Sequence, residues 1–258
     1  ISTKGQDNNA GTSGAGGELF INSTAAGAIT LGGAITATGG AATGTGNNGG
    51  AGGVVTISNA DGSILINAAI DASGGSSGSA TQGNGGTIQL KTAGTNAAIT
   101  QSGETLSTAL LAKGGTTGGL AVVSATGDVT LTNDTNDVSK VGASSATAGK
   151  FFKYTDANAV SVDTVTAAGT LTAPSTAAAL PVADTVGLRT LGGAVELNTL
   201  GTGTLTVNQG INTQPTGNGT TVGGSVILES GGAITTVLAG TISTKGQDNN
   251  AGTSGAGG

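Results

Sequence analysis

Fourteen acidic and eight basic side chains are the groups in this 258-residue chain that could do chemistry, and they work without any histidine or cysteine. That removes the commonest general base, the thiol nucleophile and most transition-metal ligand sets. Two carboxylates facing each other across about 5–10 Å would suffice for glycoside hydrolysis. The acids are scattered instead: Asp61, Asp71, Glu104, Asp128, Asp163, Glu196 and Glu229 share no spacing, and no pair is selected. The chain is read as a non-enzyme with no cofactor. Asp128 and the stretch VTLTNDTNDVSK after it bring Asp134 and Asp137 close in sequence to Asn133 and Asn136. A hard cation such as Ca²⁺ collects six to eight such oxygens, yet Asn and Asp are equally the residues of a solvated turn. Both readings stand at this point. The GGxGxD nonapeptide of calcium-binding β-rolls is absent, and GTGNNGG is not followed by the Gly-Lys-Ser/Thr of a phosphate loop.

A formal charge of −6 and only 9% charged residues argue against nucleic acid as a partner, since basic stripes are then expected. No run approaches the roughly 18 apolar residues of a membrane helix, so no membrane insertion is expected of this segment. Glycine contributes 51 residues and aromatics 2%, while 36% of the chain is apolar. Aromatic side chains dominate most globular cores, but this much Ile, Val, Leu and Ala is too apolar for disorder. Thin cores of stacked aliphatic residues satisfy both facts.

The elements that would position these groups follow from repetition. Residues 1–17 and 242–258 both read ISTKGQDNNAGTSGAGG, identical at every position and 241 residues apart. This predicts one 241-residue module followed by the start of the next, within one continuous segment spanning 1–258 of an array. Inside the module, short strands recur at Glu18, Val54, Thr87, Leu120, Lys150, Ala194 and Ser225, about 34 residues apart. Leu19/Ile21, Val55/Ile57, Ile88/Leu90, Ala121/Val123, Val195/Leu197 and Val226/Leu228 then share a period of two, as half-buried strands require. A second strand follows in each unit (Ile29/Leu31, Ile64/Ile66, Val129/Leu131, Val160/Val162, Leu205/Val207), and a third at Ile35, Ile70, Leu171, Ile211 and Ile242. A Gly/Asn/Ser-rich loop such as 39–53 closes the unit, its glycines expected to supply positive φ at tight corners. The fold class predicted is all-β, a right-handed parallel β-helix (β-solenoid) of about seven rungs per module, with a two-sheet sandwich as competitor.

Two outward-facing features stand out. The residue between the inward pair of the second strand is Thr30, Leu65, Thr100, Thr130, Ser161, Thr206 or Thr235, a hydroxyl ladder that is either structural or a flat face for ice or sugar. The fifth unit is the longest and carries Pro174, Pro181, Ala177–Ala179, the sole arginine Arg189 and three of the four aromatics in KFFKY. It reads either as a bulged rung with an extra loop or as a contact patch. Phe20, Val122, Phe151, Phe152, Tyr154 and Ile227 together form the candidate lateral-contact patch.

Residues 52–74 (GGVVTISNADGSILINAAIDASG) and 223–244 (GGSVILESGGAITTVLAGTISTK) carry a grammar that resembles the large repetitive exoproteins of the filamentous-haemagglutinin type. The likeness covers most of the chain except 136–191. It implies an exported bacterial protein at the cell surface, a β-helical rod used as adhesin stalk or fibre, and no functional residues to transfer. The expectation is a structural repeat module of a long extracellular filament, its partners identical modules end to end and, side by side, other rods. The alternative is an adhesin module binding surface glycans through loops 40–52, 74–85, 214–222 and 244–257.

Overall fold

In a computed structural model, residues 1–78, 80–115, 117–170, 183–249 and 252–258 are described. Leu171, Pro174, Ala177–Ala179 and Pro181 lie outside them. The described chain is all-β apart from one 3-10 turn at Leu106–Thr108. Its ladders are parallel except for the short pair Thr164–Val165 and Thr185–Val186, an arrangement consistent with a β-solenoid and not with the antiparallel sandwich.

Three sheets share the work. The first stacks Glu18–Ser23, Val54–Asn59, Thr87–Thr92, Gly119–Ser124, Lys140–Ala148, Val160–Val162, Leu205–Val207 and Ile234–Thr236. Leu188–Leu191, Ile211–Asn212 and Ile242–Ser243 extend it alongside, starting from the far half of Lys140–Ala148. The second stacks Ile29–Leu31, Ile64–Ile66, Ile99–Gln101, Val129–Leu131, Phe152–Asp156, Val195–Thr199 and Val226–Ser230. The third holds Ile35–Thr36, Ile70–Asp71, Leu110–Ala112 and Asp137–Val138. Registers are residue on residue, so Val55 sits on Ile88, Ile88 on Leu120, and Ile64 on Ile99. The core is one connected column running from Leu31 to Ile211. Each aliphatic side chain taken from water there contributes roughly 1.5–3 kcal/mol, and only because the strand above and the strand below cover it.

One phase expected from the sequence is off by a residue. Leu120 and Val122 point into the column, while Ala121 and Val123 pack on Val165. Both faces of this strand are covered, so all four positions are apolar and alternation cannot choose between them. Some loop glycines, such as Gly46, Gly114 and Gly217, take the expected positive φ, but others serve a different purpose. Gly40, Gly50, Gly75 and Gly83 do not have positive φ. Their backbones stack directly, Gly50 N–H on the Gly40 carbonyl at 2.9 Å and Gly75 N–H on that of Gly50 at 2.8 Å. A Cβ on Gly50 would collide with the Gly14 carbonyl. Close backbone approach, not turn geometry, is what requires glycine there.

The seven sequence units do not all open on the same sheet. In the first three passes a glycine-rich connection of variable length (37–53, 72–86, 113–118) joins the third sheet to the first. After Asp137–Val138 that connection shrinks to Ser139, and Lys140–Ala148 comes at once in the first sheet. From here on the strand that opens each sequence unit (Phe152–Asp156, Val195–Thr199, Val226–Ser230) lies in the second sheet, and first joins second through the short connections 149–151 and 192–194 and the long glycine-rich loop 213–225. The sequence units have moved on by one sheet, a slip located at Ser139.

Candidate functional site: the repeated segment, the slip and the two ends

The identical segments fold alike. In each, the chain runs out and returns on itself: Gly14 N–H bonds the Gln6 carbonyl at 2.9 Å, as Gly255 N–H bonds that of Gln247 at 2.9 Å. The Asn8 amide N–H reaches Ser13 Oγ at 3.1 Å, and Asn249 N–H reaches Ser254 Oγ at 3.1 Å. Lys4 pairs with Asp7 at 2.8 Å and Lys245 with Asp248 at 2.7 Å. Gly5 and Gly246 sit where the outgoing and returning legs touch, leaving no room for a Cβ against Gly14 or Gly255.

Their outward bonds differ completely. The first copy bonds to residues after it: the N–H groups of Thr3, Gly5, Asn8, Ser13 and Gly16 donate to Thr36, Thr38, Ala41, Asn48 and Ala51, and the carbonyls of Ile1, Asn8, Gly14 and Gly17 accept from Thr36, Thr43, Gly40 and Val54. The Asp7 carboxylate also accepts the Ala41 N–H at 2.6 Å. Its bond from Lys4 first, then this one, hold its pKa below the usual carboxylate range. The second copy bonds to residues before it: the carbonyls of Ser243, Asp248 and Ala256 accept from Thr213, Gly219 and Gly223, and Gln247 N–H donates to Thr221. Those four positions match Ser2, Asp7, Ala15 and Gln6 in the first copy, and none of their groups is among the backbone groups that the first copy spends. One segment therefore carries two non-overlapping edges.

Each end of the column is apolar. At the first tier, Ile1, Ile21, Ile29, Leu31 and Ile35 line a recess of about 330 Å³. At the last, Ile234 and Ile242 are 47% and 44% exposed, and Leu238 is fully exposed.

The slip is held by a buried polar cluster. Asn136 Oδ1 accepts from Leu110 N–H at 2.8 Å and from Gln101 Nε2 at 2.7 Å, while its Nδ2 donates to the carbonyls of Leu131 and Thr155. Asn133 Nδ2 donates to Thr108 Oγ1 at 2.6 Å and the Thr105 carbonyl at 2.9 Å. Where the third sheet stops, Val138 N–H has no further strand to bond; Asp156 Oδ2 accepts it at 3.0 Å, together with the Tyr154 hydroxyl at 2.6 Å. Side chains thus replace the missing ladder. Burial pushes the Asp156 pKa up to about 6 against its hydrogen bonds, and burial first, then the Asp156 charge, pushes that of the Tyr154 hydroxyl up. Neither group meets solvent, so the pair has structural work and no access to substrate.

The acids of the candidate cation set are turned to other partners. Asp128 caps Phe151 N–H and lies 3.9 Å from Lys150, and Asp137 pairs with Lys113 at 3.0 Å. Among the described residues no three acidic side chains gather to hold a metal. Asn133 and Asn136, whose residue type suits a solvated turn, are buried instead. The lateral patch does not form one surface either. Val122, Phe152 and Tyr154 are in the column, Phe20 is half-buried on the first sheet, and Ile227 is exposed on the second. Phe151 lies beneath the Lys153 ammonium, 5.6 Å from its ring centre. The hydroxyl ladder splits the same way: Thr30, Leu65, Thr100 and Thr130 continue into Lys153, Glu196 and Ile227, while Ser161, Thr206 and Thr235 belong to the first sheet. The ladder splits, and Phe20 and Ile227 part, because the slip puts equal repeat positions on different sheets; Val122, Phe152 and Tyr154 face inward because their strands lie one residue out of the expected phase.

The fifth unit does hold an extra loop. Residues 164–170 drape over the outer face of the first sheet, with Gln89 Nε2 donating to the Ala168 carbonyl at 2.7 Å and Thr170 N–H to Glu18 at 2.8 Å. No family model, curated protein or solved structure matches this chain.

Proposed function

We propose that the chain is a structural repeat module of a long extracellular filament or adhesin stalk, coiled as a right-handed parallel β-helix and stacked end to end with identical modules. The observation that carries this reading is the pair of disjoint edges on one repeated segment. A copy in mid-array would bond to the module before it and to the module after it at the same time, leaving neither an open sheet edge nor an uncovered apolar end. The resemblance to haemagglutinin-type exoproteins supports a bacterial cell-surface location. Electron microscopy of a four-module tandem tests it. Unbranched rods of constant width are expected, and a string of separate particles would overturn it.

A second reading is favoured by one feature. Arg189, Asn212, Gln214 and Thr216 line an open recess of about 280 Å³ beside the 213–224 loop, a donor set suited to an acidic sugar. Glycan-array binding that is lost on Arg189→Ala would establish it, and an unchanged blank array would remove it.

A further inference from the structure

The same seventeen residues sit at two different corners of the molecule. The first copy lies under the 37–53 loop, which leaves the third sheet at Ile35–Thr36 and enters the first at Val54–Asn59. The second copy lies on the 213–224 loop, which leaves the first sheet at Ile211–Asn212 and enters the second at Val226–Ser230. The strand next in the chain must therefore enter the first sheet after one copy and the second sheet after the other. Between the two copies the second sheet gains its seven strands and the segment advances by one sheet, so 241 residues make seven and one-third passes.

We infer that successive modules are related by an advance of one sheet position around the filament axis, so that Glu18–Ser23 of one module stacks on Val226–Ser230 of the module before it. This rests on the end-to-end reading above. The cause lies inside the module, at the one-residue connection through Ser139, and nothing at the joint reverses it. Register is set by the inward residues. Leu19 and Ile21 of the incoming module cover Val226 and Leu228, as Val226 and Leu228 themselves cover Val195 and Leu197. Ile29 then covers Ile234 and Ile35 covers Ile242, which closes the apolar end. Phe20 comes to lie beside Ile227.

With three sheet positions to a pass, the operator repeats after three modules. That is 22 strand spacings, a rise of about 105 Å. The long glycine-rich loops, confined to one corner before the slip and the next corner after it, would wind around the filament with that period. Loop-borne contacts would then be offered in three directions from one rod, while no single edge carries them all.

The test is a two-module tandem with paired cysteines, in a chain that has none of its own. Neighbouring parallel strands place Cα atoms at a separation a disulfide can span. Ile227→Cys in the first module with Phe20→Cys in the second should cross-link on mild oxidation, seen as a mobility shift that reductant removes. Thr235→Cys with the same Phe20→Cys should not, because residue 235 lies in the first sheet. Cross-linking of 235 with 20 and not of 227 would overturn the advance and leave end-to-end stacking intact. Failure of both pairs would overturn the stacking and the advance together.

Discussion

The four passes before Ser139 and those after it use the same strand grammar on different sheets. Before it, opening strands such as Val54–Asn59 build the first sheet and the glycine-rich connections 37–53, 72–86 and 113–118 lie at the corner between third and first. After it, opening strands such as Val195–Thr199 build the second sheet and the loop has moved one corner on. An aliphatic pair at period two specifies that a strand faces the column; it does not specify which sheet it joins. That choice is made by the connections, and one of them, cut to Ser139, reassigns everything downstream. The two regions also differ in what holds them. The early tiers rely on aliphatic stacking and on glycine loops packed backbone to backbone, whereas the slip relies on Asn133, Asn136 and Asp156 standing in for lost ladder bonds.

That contrast can be broken in several ways. Ile64→Ala removes a side chain covered on both sides and should cost about 4 kcal/mol by denaturant unfolding. Ile234→Ala, half-exposed at the last tier, should cost under about 1 kcal/mol in the single module and several times more in the first copy of a tandem. Equal costs in both settings would deny that the next module covers it. Asn136→Ala leaves the Leu110 N–H without its acceptor and takes a donor from the Leu131 and Thr155 carbonyls, and should cost about 3 kcal/mol. Were it harmless, the polar cluster would not be what holds the slip.

Asp156 gives the comparison a pH axis. Its folded pKa of about 6 lies above the roughly 3.9 of an unfolded aspartate. The folded state therefore binds the extra proton, and its contribution is fully present below about pH 4 and lost as pH rises through 6. Stability should fall over that window by on the order of 2–3 kcal/mol. Asp156→Asn cannot ionise; it should be about 2 kcal/mol less stable than the natural chain at pH 4, because its amide faces Val138 N–H, with the gap narrowing toward pH 7. A gap that stays constant would contradict the burial of an ionising carboxylate. The smallest effect is expected at Lys153 and Glu196, paired across the second sheet at 2.7 Å but both part-exposed. A double-mutant cycle should return under about 1 kcal/mol.

Much of the architecture was legible because period-two aliphatic pairs and a self-repeat are local properties of the sequence. Val55/Ile57 and Ile88/Leu90 lie where alternation put them. Three kinds of feature were not legible. Leu120–Val123 is apolar on both faces because the 164–170 loop covers the outer one, and that contact is non-local. Lys140–Ala148 reads KVGASSATA, too small and polar to announce a strand, and it is the strand that carries the slip. Asn133 and Asn136 look like turn residues until the end of the third sheet gives them unpaired backbone groups to satisfy.

The central claim is that identical modules continue one column. Small-angle X-ray scattering from chains of one, two and three modules tests it most directly. A constant cross-sectional radius, with length growing by about 35 Å for each added module, is the predicted result. A cross-section that swells, or a length that grows as a flexible string of beads, would contradict it.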